Sequence, residues 1–163
     1  MATLMLICGL PGAGKTTLAR RLAAALPAVR LCPDEWLTDL GLDLFDEPVR
    51  ERLEHRFKTL ALELVGLGQS VILEFGFWAR GERDELRSAA RALGAKVELH
   101  FLDEPLEELA RRTAARGEPV IDLEMLREFA TVFEQPTAEE LALFDGCACP
   151  PAASADISDI MVQ

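Results

Sequence analysis

The chain has 163 residues, with 28 acidic against 17 basic side chains and a formal net charge of −11 at pH 7. Hydrophobic residues make up 50% and charged residues 28%, the balance of a single globular domain and not of a fibrous, disordered or disulfide-scaffold chain. At this length folding buries roughly two-thirds of the unfolded surface, enough for a core without staples.

Thr3 to Cys8 is an apolar run without alternation, which predicts a parallel strand covered on both faces. It lacks a basic leader and runs straight into a glycine-rich loop, so it reads as a buried strand and not as a signal peptide. From Lys15 to Leu26 the period turns helical, with Leu18, Leu22 and Leu26 four apart and Pro27 ending the run. Val29 to Cys32 predicts a second strand, closed by Pro33. Pro48 to Leu67 predicts a long helix with Val49, Leu53, Phe57, Leu60 and Leu64 on one stripe. Ser70 to Phe75 predicts a third strand, Arg80 to Leu93 a helix ended by Gly94, and Lys96 to Leu102 a fourth strand. Pro105 to Arg116 and Asp122 to Phe133 predict two more helices, separated by Gly117-Glu118-Pro119. Strands alternating with helices predict an α/β fold around a mostly parallel sheet of four to five strands. The domain is expected over residues 1–146, with 147–163 as a Pro/Ala/Ser-rich tail in which Ile157 to Val162 is an alternative late edge strand.

No apolar run reaches the ~18–20 residues of a membrane span, so no membrane partner is expected. Cys8, Cys32, Cys147 and Cys149 lack a framework spacing, and one Cys-x-Cys supplies only two of four structural zinc ligands; they read as free thiols of a reducing cytoplasm. The acidic balance, with only Lys15, Lys58 and Lys96 as lysines, disfavours a long nucleic-acid partner.

The strongest signal is Gly9-Leu10-Pro11-Gly12-Ala13-Gly14-Lys15-Thr16, which satisfies G-x-x-x-x-G-K-[ST] between a predicted strand and a predicted helix. Chance supplies that pattern in roughly one chain in a thousand of this composition, before the strand-then-helix context is required. Its glycines let backbone N–H groups converge on phosphates at a helix N-terminus. Lys15 is placed to pair with the β- and γ-phosphates, and the Thr16 hydroxyl to ligate Mg²⁺.

Gly9 to Thr17, the following Leu18-Ala19 and the strand leading to Pro33-Asp34-Glu35 together resemble the small P-loop kinases. The group resembled contains polynucleotide 5′-kinases, zeta toxins and chloramphenicol phosphotransferase, whose bacterial members are often labelled AAA-type ATP-binding proteins. The likeness spans about residues 3–135. It implies a three-layer P-loop NTPase sandwich with a helical lid, here at about residues 110–122, and ATP with Mg²⁺ as cofactors. It further implies that Gly9, Pro11, Gly12, Ala13, Gly14, Lys15, Thr16 and Thr17 bind the nucleotide. ATP over GTP rests on the resemblance together with the absence of an Asn-Lys-x-Asp run.

Asp34 follows the second strand, where an open α/β sheet places ligand groups. It fits a general base for an attacking hydroxyl, the role of the matching acid in the kinases resembled, or alternatively the N-cap of a helix beginning near Trp36. Glu74 ends the third strand, where it fits either a metal-site carboxylate beside Thr16 or a buried structural one. Trp36, Phe75, Phe77 and Trp78 either line an acceptor pocket or belong to the core. Arg112 and Arg116 share one helix face and resemble the lid arginines that clamp the phosphate chain; the alternative for Arg112 is a surface pair with Glu108. Arg80 and Arg83 read as a solvated helix start, His55 as a helix-surface residue and His100 as a strand-core residue.

The function expected is an ATP-dependent phosphotransferase that acts on a hydroxyl of a small molecule or nucleotide, with Asp34, Lys15, Arg112 and Arg116 as the catalytic set. The alternatives are a nucleotide-binding switch or slow ATPase with a protein partner and, behind it, a polynucleotide 5′-kinase. No basic residue directly follows Asp34, where Trp36-Leu37-Thr38 stands instead, which argues against a toxin-type activity.

Overall fold

The computed structural model describes residues 1–117 and 121–146. Four strands, β1 (Thr3–Cys8), β2 (Ala28–Leu31), β3 (Ser70–Gly76) and β4 (Lys96–Phe101), form one parallel sheet in the order β2-β3-β1-β4. Between and after them run α1 (Lys15–Ala25), α2 (Pro33–Asp39), α3 (Glu47–Gly66), α4 (Arg80–Ala92), α5 (Leu106–Arg116), α6 (Leu123–Val132) and the short α7 (Ala138–Leu141).

Leu4, Met5 and Leu6 of β1 pair with Val71, Ile72 and Leu73 of β3 on one side and with Val97, Glu98 and Leu99 of β4 on the other. A strand with neighbours on both edges and helices on both faces has no wet side, which is why its sequence does not alternate. Leu4, Leu6, Val71, Leu73, Val97 and Leu99 face α3 and α4, where they meet Phe57, Ala61, Val65, Leu86 and Ala90. Met5, Ile7 and Ile72 face Leu18, Ala19 and Leu22 of α1. The result is the expected three-layer sandwich.

Three details differ from the sequence expectations. On α3 the fully buried row is Phe57, Ala61 and Val65, and the predicted Leu53, Leu60 and Leu64 flank it half-buried. The helix α2 begins at Pro33, where the sequence offered only a start near Trp36: its buried residues are Pro33 and Leu37, too few to show a period. A fifth strand is reduced, among the described residues, to one parallel bridge between Glu98 and Gly146, with Leu99 N donating to Gly146 O at 3.1 Å. The expected tail 147–163, with Cys147, Cys149 and the alternative strand Ile157 to Val162, lies outside the described residues, as does Pro119 of the helix break.

Strand β3 sits between β1 and β2, so the chain leaves β1 in one direction and later returns past it to β4. Such a reversal opens a crevice at the carboxyl ends of the strands. The loops after β1, β2 and β3 meet on that rim.

Candidate active site

The loop from Gly9 to Gly14 is fixed at its start by Gly9 N donating to Gly76 O at 3.0 Å, across to the end of β3. Gly12 adopts φ +83°, and a Cβ there would come within 2.9 Å of Leu109 O and 3.0 Å of Thr113 Cγ2 on α5. Leu10 and Ala13 complete the joint by packing with Leu109 and Leu126. The loop is thus clasped to α5 and α6. Pro11 and Thr17 take their predicted places in the loop and in the first turn of α1.

Lys15 Nζ donates to Leu10 O at 2.9 Å, so the ammonium lies against its own loop. Burial pushes it down to about 8; the Asp34 and Glu74 carboxylates oppose that shift and Arg116 adds to it. The carboxylates of Asp34 and Glu74 and the guanidinium of Arg116 thus act on Lys15 through their charge, while its direct hydrogen bond is to Leu10 O. Thr16 Oγ1 donates to Glu74 Oε1, and Arg30 Nη1 donates to Glu74 Oε2 at 2.7 Å. Arg30 also holds Glu35, which Arg20 engages at 2.6 Å. Glu74 is buried, with both oxygens satisfied.

Asp34 is exposed, and its Oδ1 accepts from Arg50 Nη2 at 2.5 Å. It is the second residue of α2, whose N-cap is Cys32, so the N-cap alternative is corrected: helix entry begins earlier, at Pro33. Arg50 reaches Asp34 from the first turns of α3 and also donates to Leu44 O at 3.3 Å, tying down the α2–α3 connection. Asp34 and Arg50 lie sixteen residues apart in sequence.

The predicted arginine pair divides. Arg112 Nε donates to Glu108 Oε1 at 2.7 Å and its Nη2 to Glu104 Oε1 at 3.2 Å, the surface pairing weighed as an alternative. Arg116, one turn on, is exposed and makes no ion pair among the described residues. The aromatic group divides as well. Trp36, Phe57, Phe75 and Phe77 form a ladder with ring centroids 5.0, 6.0 and 5.2 Å apart, running from the 45% exposed Trp36 to the buried Phe77. Trp78 instead packs on Phe129 of α6 at 5.2 Å.

Arg83 overturns its expectation as a solvated residue. It is 0% exposed, with Nε donating to Glu140 Oε1 at 2.6 Å, Nη1 to Phe77 O at 2.7 Å and Nη2 to Glu134 O at 2.8 Å. It bolts the loop after β3 to the segment leaving α6. That segment, through Gln135, also borders a cavity of about 270 Å³ beside Leu10, Asp103 and Leu109. Of the remaining residues, His100 is buried, His55 is exposed, and Cys8 and Cys32 are free and buried. Burial pushes those thiols up to about 12 and about 11, which leaves them protonated and poor nucleophiles.

No cluster of three His, Cys, Asp or Glu side chains suited to a metal occurs among the described residues. Thr16 beside the buried Glu74 nevertheless fits Mg²⁺, an ion that relies mainly on substrate phosphates and water for its ligands and asks little of the protein. No helix among the described residues is long and apolar enough to cross a membrane.

Residues 4–136 match the family model described as an AAA domain. A shikimate kinase of Corynebacterium glutamicum is 30% identical over 146 residues, covering 86% of this chain and 84% of that protein. Among solved structures, Kti12 of Chaetomium thermophilum in complex with ADP-AlF3 superposes with a TM-score of 0.69 at 16% identity, over 98% of this chain and 94% of that one. A sugar kinase of Janibacter sp. HTCC2649 superposes with a TM-score of 0.65 at 22% identity, over 86% and 82%.

Proposed function

The chain belongs to the AAA domain family on the P-loop kinase fold, and from that premise we propose that it transfers the γ-phosphate of ATP to a hydroxyl of a small molecule or nucleotide. The observation that carries the proposal is the glycine loop anchored at the rim of the sheet, with Lys15 against its own loop and the Thr16 hydroxyl bonded to the buried Glu74. A phosphate-binding lysine, a metal-side hydroxyl–carboxylate pair, an exposed carboxylate and a lid arginine are the parts in-line phosphoryl transfer needs.

In this reading Gly9, Pro11, Gly12, Ala13, Gly14, Thr16 and Thr17 cradle the phosphates, and Lys15 leaves the Leu10 carbonyl for the β- and γ-oxygens. Asp34 accepts the proton of the acceptor hydroxyl as that oxygen bonds to the γ-phosphorus and the bond to the β-phosphate oxygen breaks, releasing ADP. Arg50 orients Asp34. Arg116 offsets charge on the transferred group, with Arg112 following once it leaves Glu108. Thr16 and Glu74 would hold Mg²⁺, which would supply charge neutralisation at the phosphate oxygens. The free, buried thiols of Cys8 and Cys32 support a reducing, cytoplasmic site of action.

The second reading, a nucleotide switch or slow ATPase with a protein partner, is favoured by the Arg50 contact that already occupies one oxygen of Asp34. A polynucleotide 5′-kinase fits less well with a net charge of −11. The test is ADP release from ATP·Mg²⁺ with and without nucleosides, sugars, aminoglycosides and 5′-hydroxyl oligonucleotides. Acceptor-dependent release lost in both Lys15→Ala and Asp34→Asn supports the kinase. Acceptor-independent release lost only in Lys15→Ala supports the switch.

A further inference from the structure

Glu74 is an unusual carboxylate to meet beside a metal-side threonine, because both of its oxygens are taken and its charge is already matched. Thr16 Oγ1 donates to Oε1, and Arg30 Nη1 donates to Oε2 at 2.7 Å. The glutamate side chain is 3% exposed and the arginine side chain 16%, so this pairing is shielded from bulk water. The second arm of Arg30 goes to Glu35 of α2, and Arg20 of α1 closes the group on the same glutamate at 2.6 Å. Two cations and two anions from α1, β2, α2 and β3 therefore balance to zero beside Thr16.

A divalent cation arriving at the Thr16 hydroxyl meets the field of Glu74 and of Arg30 together. The carboxylate attracts it and the guanidinium behind the carboxylate repels it, so the two fields oppose each other at the hydroxyl. Arg30 also fixes the Glu74 rotamer with Oε1 on the Thr16 hydroxyl, which turns the hydroxyl's proton away and leaves its lone pairs for a cation. Resting on the ATP·Mg²⁺ reading above, we propose that Arg30 is a positioning residue that sets how much Mg²⁺ nucleotide binding requires. It holds Glu74 as a partner of Thr16 and lowers the net attraction for the ion, so that Mg²⁺ is retained only together with phosphates.

The test titrates Mg²⁺ against a fixed concentration of a fluorescent ADP analogue on the full chain, with thermal melting of the nucleotide-free protein as a control of folding. Arg30→Gln is expected to lower the half-saturating Mg²⁺ about fivefold, while Arg30→Lys, which keeps the charge, stays within about twofold of the parent. In a Glu74→Gln background the Arg30→Gln shift shrinks, because only the direct repulsion between guanidinium and ion is left once the carboxylate it holds is gone. A melting temperature that falls with an unchanged Mg²⁺ midpoint assigns Arg30 a merely structural role and overturns the inference. Should Arg30→Gln not fold, Glu35→Gln reads the same balance from its other side. It leaves Arg30 wholly on Glu74 and is expected to raise the Mg²⁺ requirement about twofold, an unchanged midpoint again overturning the inference. ADP binding by the parent chain with no dependence on Mg²⁺ overturns the metal-site reading itself, a result distinct from a variant that fails to shift.

Discussion

Lys15 carries the clearest single-residue consequence. Its ammonium is pushed down to about 8 by burial in the empty loop, whereas bound phosphates favour the charged form. The complex then binds more protons than the free chain above that pH, so affinity for ADP falls as pH rises through about 8. Calorimetry in buffers of different ionisation enthalpy should register proton uptake on binding near that pH; pH-independent affinity across the range would contradict the assignment. For the fold itself the sign is opposite: between about 8 and 10.5 the unfolded chain holds the lysine proton and the native one does not, so stability gains with pH in that window. Asp34 gives the second consequence at this scale. Asp34→Asn should lower kcat by about a hundredfold or more with little change in KM for ATP, the pattern of a group used only in proton transfer. Steady-state kinetics with a competent acceptor reads it. Asp34 and Lys15 were legible in the sequence because each follows a strand and precedes a helix. Arg50 and Arg30 were not. Arg50 finds its partner only when α3 packs beside α2, and Arg30 lies in a short strand whose partner, Glu74, comes 44 residues later.

At the scale of elements, the joint between the phosphate loop and α5 decides whether the loop keeps its shape. Gly12→Ala sets a Cβ at φ +83° within 2.9 Å of a backbone carbonyl, where neither partner gives way easily. It should cost about 1–3 kcal/mol and abolish nucleotide binding by parting the loop from the lid. Gly14→Ala, at φ +96° but with nothing within 4 Å, should cost less and keep the joint. Urea denaturation of the two variants separates strain from collision, and equal losses would contradict the clasp. The strands and long helices were legible because each has enough buried positions to show its period. The seven-residue α2 has only Pro33 and Leu37 buried, and its signal was lost between the second strand and the Leu40–Phe45 connection. The lid arginines were legible as a face, yet spacing alone does not reveal that Glu104 joins Glu108 in holding Arg112.

For the whole molecule, Arg83 is the bolt that joins the rim to the far end of the chain. Phe77 O, Glu134 O and Glu140 all converge on it, and Glu134 N returns a bond to Trp78 O at 2.8 Å. Arg83→Met leaves Glu140 buried without its partner and should cost about 3–5 kcal/mol, whereas Arg83→Met with Glu140→Leu should recover part of that loss. Chemical denaturation tests both, and a double variant no more stable than the single one would contradict the argument. The charged opening of α4, Arg80-Gly81-Glu82-Arg83, read as a solvated helix start, because the partners of Arg83 lie beyond α6. The order of strands was likewise beyond local pattern: it is fixed by which faces β1 and β3 bury together. Group transfer is the activity proposed for the assembled molecule, and it is tested most directly by following ATP labelled on its γ-phosphate across the acceptor panel. The account predicts label in an acid-stable ester of one hydroxyl compound, absent with Asp34→Asn. Label found only as inorganic phosphate, at a rate indifferent to every acceptor, would contradict it and leave a nucleotide switch in its place.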